Sequence, residues 1–264
     1  MTHFSYRFSH AITRRPASSI TAGLRAVDTG NPDPALILAH HAEYVAALRA
    51  AGLTVVELAP LEDFPDSCFV EDAALCLPQG AIVLRPGAPT RLGEAAAMAP
   101  HLHEFFADVA VITGPGFVEG GDILITGREI LVGRSARTDA AGIAELTAIA
   151  ARWGHAVREV ITPPGVLHFK TDCSLLDERT ILSTARLHAS GCFADYRVIE
   201  TAPGEEACAN AIRVNDTVIM PAGFPQTAEI LRQHGYPVVQ VNNAECAKID
   251  GGMSCLSLRF TPTR

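Results

Sequence analysis

A cysteine beside paired glycines, a histidine and several acidic residues occupy matching places along this chain, each in a short polar break that follows an apolar run. The breaks read Pro65-Asp66-Ser67-Cys68-Phe69-Val70-Glu71-Asp72, Gly116-Phe117-Val118-Glu119-Gly120-Gly121-Asp122, Leu167-His168-Phe169-Lys170-Thr171-Asp172, Ala207-Cys208-Ala209-Asn210 and Lys248-Ile249-Asp250-Gly251-Gly252-Met253-Ser254-Cys255. Cys255 lies where flexible backbone permits close approach to a ligand, and a thiolate there is a strong nucleophile. His168, with an ordinary pKa near neutrality, can protonate a leaving group and then activate water. Glu119 can orient that imidazole through its second ring nitrogen. Asp66, Glu71 and Asp72 gather carboxylates in the first break, which suits a planar cation such as guanidinium. Arg91 and Arg137 each follow a hairpin and are candidates for holding a substrate carboxylate. The fourth break has no assigned chemistry.

Each of these residues has an ordinary alternative. A cysteine in a strand is usually a small buried apolar residue, and that reading holds for the six cysteines other than Cys255. A lone histidine in a strand is usually structural; His168 stands apart because its break is the counterpart of the one holding Glu119. His40, His41, His101 and His103 read as helix-surface residues, and no carboxylate completes a metal-ligand set around them.

Elements must bring the breaks together. Strand-like runs at 53–58, 109–113, 156–161, 196–200 and 237–241 recur about every 40 to 55 residues, a period typical of repeat architectures. Each unit reads as strand, polar break, hairpin and helix. The hairpins span 74–84, 123–132, 174–183 and 212–220, with polar or glycine turns between apolar runs. The helices span 34–51, 91–106, 140–153, 187–191 and 226–234, several ending at a glycine suited to the left-handed conformation that stops a helix. The last unit lacks its second hairpin strand and helix, and a strand-like stretch at 4–13 can supply the strand. Closing a ring from both termini leaves no open sheet for aggregation. The expected fold is a five-bladed α/β propeller whose breaks converge on its axis. No GxGxxG or GxxxxGK[ST] loop supports a nucleotide-binding open sheet instead.

Composition narrows the function. The 264 residues are 48% hydrophobic and 19% charged, as expected of a globular protein, and the even period favours one domain over 1–264. No apolar run approaches the roughly 20 residues needed to span a bilayer, and the stretch after Arg14 and Arg15 has no export-signal core, so a cytoplasmic enzyme is expected. A net charge of -8 argues against a nucleic-acid surface and is compatible with a cationic substrate. Seven cysteines without a CxxC pair argue against a disulfide framework or structural zinc, and fit free thiols in a reducing compartment.

The same residues resemble the dimethylarginine dimethylaminohydrolases of the guanidine-modifying (pentein) superfamily, over nearly the whole chain. The resemblance is carried by Phe64-Pro65-Asp66 through Val70-Glu71-Asp72, by Arg85-Pro86-Gly87-Ala88-Pro89-Thr90-Arg91, by Glu119-Gly120-Gly121-Asp122, by Leu167-His168-Phe169-Lys170, and by Asp250-Gly251 leading to Ser254-Cys255. Zinc trapped by Cys255, His168 and nearby acids is expected only as an inhibitor, and a homodimer is allowed; the resemblance itself implies a five-fold pseudosymmetric propeller, hydrolysis of N-methylated arginine and no required cofactor. It also implies Cys255 as nucleophile, His168 as acid/base and Glu119 as its partner. Asp72, with Glu71 nearby, would hold the guanidinium, and Asp66 with the Leu24 backbone would meet the α-amino group. Arg91 and Arg137 would bind the α-carboxylate, and the Ile249 backbone would lie against the substrate. The segment around Ala22-Gly23-Leu24-Arg25, judged by the resemblance and by its glycine, would form a lid. The competing readings are arginine deiminase, a family that usually carries a sizeable helical insertion, a catalytically dead pentein that binds a ligand, and a zinc-binding protein.

Overall fold

The computed structural model describes residues 3–264 and contains five three-stranded sheets arranged as repeated units. The chain opens with β1 (His10–Arg14), α1 (Pro34–Ala50) and β2 (Thr54–Leu58). It continues through β3 (Ala74–Leu77), β4 (Gly80–Val83), α2 (Leu92–Phe105) and β5 (Val109–Val111), then β6 (Ile123–Ile125), β7 (Ile130–Arg134), α3 (Ala140–Arg152) and β8 (Val157–Ile161). Next come β9 (Cys173–Asp177), β10 (Thr180–Ser183), α4 (Ala185–His188) and β11 (Arg197–Glu200). The chain ends with β12 (Ile212–Val214), β13 (Thr217–Pro221), α5 (Pro225–Gln233), β14 (Val238–Val241), α6 (Ala244–Ala247) and β15 (Leu258–Phe260).

Every module repeats one pattern: an antiparallel hairpin, a helix, and a third strand parallel to the hairpin's second strand. A parallel neighbour cannot be reached by a tight turn and needs a crossover, which the helix supplies. This redraws the unit expected from sequence. Each strand-like run pairs with the hairpin before it, so the polar break joins one sheet to the next.

The fifth module is assembled from both termini. β15 pairs antiparallel with β1, Ala11 opposite Arg259, and β1 pairs parallel with β2 across α1. The ring therefore closes as expected, although the N-terminal strand begins only at His10, later than 4–13. Asp33 caps α1 by accepting from the Ala35 and Leu36 amides, with Pro34 preset for the first turn. Gly52, at φ +95, lets the chain leave that helix for β2.

Each module's helix packs between its own sheet and the sheet of the neighbouring module, giving five apolar clusters around the ring, such as Ile82, Val132 and Leu146 in one and Leu182, Val218 and Leu231 in another. Burial of one such side chain stabilises the fold by roughly 1.5–3 kcal/mol. His41 belongs with this interior. It is 2% exposed and, contrary to its reading as a surface residue, burial pulls its pKa down to about 4. Six of the seven cysteines are buried and Cys192 is half-buried. Among the described residues, no helix is long and apolar enough to cross a membrane.

The first strand of each hairpin faces the ring axis and lines a central cavity with Leu75, Ile123, Leu175, Ile212 and Leu258. All five breaks contain a single 3-10 turn ahead of that strand, at Val70–Ala73, Gly120–Asp122, Phe169–Thr171, Glu206–Ala209 and Ser254–Leu256. Because each turn precedes the equivalent strand, the five turns gather at one end of the axis.

Candidate active site

Those gathered turns form a cleft. Leu24, Asp66, Asp72, Arg91, Arg137, His168, Ile249 and Cys255 line it together with Phe69, Leu167, Asp250 and Gly251. Eight of the ten residues singled out from sequence therefore share one space. Glu119 stands directly behind them, fully buried, with its Oε2 2.6 Å from His168 Nε2. Its Oε1 accepts from the Gly87 amide at 2.9 Å and lies 3.4 Å from Arg137 Nη1.

Glu71, grouped with Asp72 in the sequence reading, lies outside the lining of this cleft although the two are neighbours in one turn. Its carboxylate faces the axial cavity, where Oε1 meets Lys170 Nζ at 2.5 Å and Arg259 Nη2 at 2.9 Å. Successive side chains of a 3-10 turn diverge by about a third of a revolution, and the two adjacent carboxylates accordingly enter different spaces.

Asp72 takes Arg91 Nη1 on Oδ2 at 2.6 Å and the Gly121 amide on Oδ1 at 2.8 Å. Arg91 is itself buried: Nε and Nη2 donate to Glu94 Oε2, and Nη2 also reaches the Phe69 carbonyl at 3.0 Å. Of its five N–H groups, one on Nη1 is left to face the cleft. Arg137, less enclosed, is the second cation on that wall. Across the mouth, the Leu24 amide donates to Asp66 Oδ1 at 3.0 Å and the Ala26 amide to Asp250 Oδ2 at 2.6 Å, so the expected lid segment is tied to the cleft at two points.

The Glu-Gly-Gly-Asp run has a packing reason. A Cβ on Gly121 would sit 2.7 Å from His168 Nδ1, closer than real Cβ atoms approach, and 3.0 Å from Asp72 Oδ1. Gly121→Ala should displace the imidazole and lower kcat by about a hundredfold, the cost of an ångström-scale misplacement. Steady-state kinetics on the folded variant checks this, and a kcat within threefold of the parent would contradict it.

Two residues given no role in the sequence reading prove structurally central. Asp122 accepts from the Phe169 amide at 2.8 Å and from Ser135 Oγ at 2.7 Å, fixing the turn that presents His168. Asn210, in the fourth break, accepts the Ser254 amide on Oδ1 at 2.8 Å and so anchors the turn of Cys255. Asn210's place in the shared register was the available signal.

Electrostatics set the resting protonation. Burial pushes the Cys255 thiol up to about 12, and the charges of Asp72 and Glu71 push the same way. For His168, burial works downward, but the charge of Asp72 and the hydrogen bond to Glu119 outweigh it and lift the imidazole to about 9. Burial also opposes the Asp72 charge, yet the Arg91 guanidinium holds that carboxyl below its ordinary range. At neutral pH the pattern favours a neutral thiol, an imidazolium and a carboxylate in one cleft. Asp72, Glu119 and His168 also offer ligand atoms within 4.8 Å of one another.

The chain is similar to several proteins that have names or solved structures. A family model described as arginine deiminase matches residues 60–219. The chain is 41% identical over 254 residues to the N(G),N(G)-dimethylarginine dimethylaminohydrolase of Pseudomonas aeruginosa, covering 96% of this chain and 100% of that one. It is 34% identical over 254 residues to the Streptomyces coelicolor protein of the same name, covering 95% and 96%. A solved structure of a cysteine-to-serine mutant of the Pseudomonas aeruginosa enzyme, complexed with citrulline, matches with a TM-score of 0.94 at 40% identity, over 97% of this chain and 100% of that chain. The N-terminal domain of the cyanobacterial arginine dihydrolase ArgZ matches with a TM-score of 0.84 at 20% identity, covering 96% of each chain, which is a likeness of fold. The chain belongs to the dimethylarginine dimethylaminohydrolase family of guanidine-modifying pentein enzymes.

Proposed function

We propose that this enzyme hydrolyses Nω-methylated arginine, as asymmetric dimethylarginine or monomethylarginine, to citrulline and dimethylamine or methylamine. The observation that carries the reading is the single cleft joining Cys255, the Glu119-backed His168 and Asp72, with arginines on one wall. Asp72 receives the guanidinium N–H groups, while Arg137 and the remaining N–H of Arg91 take the α-carboxylate. Asp66 and the Leu24 backbone meet the α-amino group, and the Ile249 backbone lies along the substrate.

A thiol at about 12 costs roughly 7 kcal/mol to ionise at pH 7, at 1.36 kcal/mol per pKa unit. A unit cation at about 4 Å returns roughly 4 kcal/mol at the effective dielectric of a protein site. Substrate binding therefore supplies much of what ionisation needs, and the thiol proton leaves as the guanidinium enters. The Cys255 thiolate then adds to the guanidinium carbon, forming the C–S bond. The bond to the methylated nitrogen breaks as His168 gives that nitrogen its proton, and the amine departs from a thiouronium adduct. The neutral imidazole next removes a proton from water, whose oxygen attacks the same carbon. The C–S bond breaks, the remaining proton of the former water passes to solvent as the citrulline carbonyl forms, and once the product leaves the thiolate takes up a proton, restoring the neutral thiol and the imidazolium.

The catalytic unit is the whole chain, 1–264, as one domain. It acts on a small molecule in the cytoplasm, in arginine metabolism, and a homodimer is compatible with that role. The chemistry asks for water and side chains alone. A zinc ion seated on His168, the nearby acids and the Cys255 thiolate would occupy the groups that react, and so would inhibit.

The name of the matched family model favours a second reading, hydrolysis of unmethylated arginine. Against it, each crossover among the described residues holds a single α-helix, and no helical insertion lies between the second and third modules. Citrulline release from dimethylarginine, monomethylarginine and arginine decides between them. The methylated substrates should give the higher kcat/KM; preference for arginine would select the deiminase, and no release from any of the three would select a binding protein.

A further inference from the structure

Beneath the cleft lies a buried polar network that the chemistry above does not use. Arg259, in β15, donates through Nη1 to the Ser254 carbonyl at 3.1 Å, the Ser257 carbonyl at 2.8 Å and Ser257 Oγ at 2.7 Å. Its Nη2 donates to Glu71 Oε1 at 2.9 Å, the oxygen that also holds Lys170. From α1, the Tyr44 hydroxyl donates to the Met253 carbonyl at 2.9 Å and lies 2.6 Å from Ser257 Oγ. The Ser254 amide is held by Asn210, and the Gly252 amide points at Cys255 Sγ from 3.4 Å. The peptide groups leading into Cys255 are thus gripped from several directions, and Arg259 joins them to the first break.

We propose that Arg259 is a positioning residue for Cys255, its guanidinium fork clamping the cysteine turn onto the Glu71 carboxylate below. The proposal rests on Cys255 being the nucleophile. Two separable effects follow. The fork meets carbonyl, hydroxyl and carboxylate acceptors at once, which a lysine ammonium cannot do in that planar geometry. Its charge also offsets Glu71, which otherwise acts to hold the Cys255 thiol protonated. Without Arg259, Glu71 keeps Lys170 alone, and the Ser254 carbonyl loses its donor.

The variants Arg259→Lys and Arg259→Met separate the two effects. Each is read by circular dichroism, by kcat and KM, and by the rate of Cys255 alkylation with iodoacetamide at pH 9, resolved by peptide mass spectrometry. Arg259→Lys keeps the charge and loses the fork. Its kcat should fall about tenfold with KM within threefold, while alkylation stays within threefold of the parent. Arg259→Met loses both; its kcat should fall about a hundredfold and its alkylation rate about tenfold, because less thiolate is present. A merely structural role predicts the opposite sign for alkylation, since a loosened turn exposes the thiol.

Arg213 also lines the axial cavity, and Arg213→Met should leave kcat and alkylation within twofold. Folded Arg259 variants with kcat and alkylation within twofold of the parent would overturn the proposal, as would equal losses in Arg213→Met. If Arg259→Met does not fold, Arg259→Lys and Ser257→Ala decide: loss of kcat at constant KM supports the clamp, and unchanged kcat in both overturns it. Alkylation needs no substrate, so its outcome stands even if methylated arginines prove not to be substrates.

Discussion

Cys255→Ser should abolish citrulline release, by a factor on the order of 10⁴ to 10⁶, while leaving substrate affinity within a few fold. The asymmetry follows from the site. The groups expected to hold the substrate are Asp72, Arg91, Arg137, Asp66 and backbone, and none of them depends on the sulfur. A serine hydroxyl fits in the space left by the thiol but ionises with far more difficulty, and a bound cation worth roughly 4 kcal/mol cannot close that gap. Citrulline assay with calorimetric binding tests both halves. Intact mass spectrometry adds a third, since the parent should carry an arginine-derived adduct under quenched turnover and the variant none. Turnover within a hundredfold of the parent would remove Cys255 from the mechanism.

His168→Gln should lower kcat by about 10² to 10⁴, the usual contribution of a positioned acid/base. The sign of the pH dependence is specific. His168 acts first as an acid, so the parent's kcat/KM should fall as pH rises through about 9, where the imidazolium is lost. On the acid side, activity falls because thiolate formation becomes harder. The variant should lose the alkaline limb while keeping the acid one. With S-methylthiocitrulline, whose thiol leaving group needs no protonation, the variant should still form the adduct and then fail to hydrolyse it. A mass increase on Cys255 that persists without citrulline release is the expected result. An unchanged alkaline limb in the variant would assign the proton transfers to another group.

The cleft shows why some of its members could be found from sequence and others could not. Cys255, His168 and Glu119 were visible because each is a reactive type in an equivalent break of a repeating register, and the fold preserves those breaks as five turns, with Glu119 and His168 just ahead of theirs and Cys255 inside its own. Gly121 was visible as part of a motif, but its reason, the 2.7 Å approach to His168, exists only between modules. Arg259 lies in an ordinary-looking strand and gave no signal. Ser254 lies only five residues before it, but its other partner, Glu71, is brought to it from the far side of the sequence by the closed ring.

Local sequence decided the helices, the hairpins and the places where the chain breaks, because caps, turn residues and apolar alternation act within a few residues. It also decided which side chains could react. Tertiary structure decided which hairpin each outer strand joins, because parallel pairing is set by a crossover rather than by neighbouring residues. It decided that Asp72 faces the cleft while Glu71 turns to Lys170 and Arg259, since adjacent side chains of one tight turn diverge. It also gave the fourth break its use, through Asn210 on the cysteine turn. The protonation of the site belongs to the same level: a thiol raised to about 12 and an imidazole raised to about 9 arise from burial and from charges that meet only when the ring is closed.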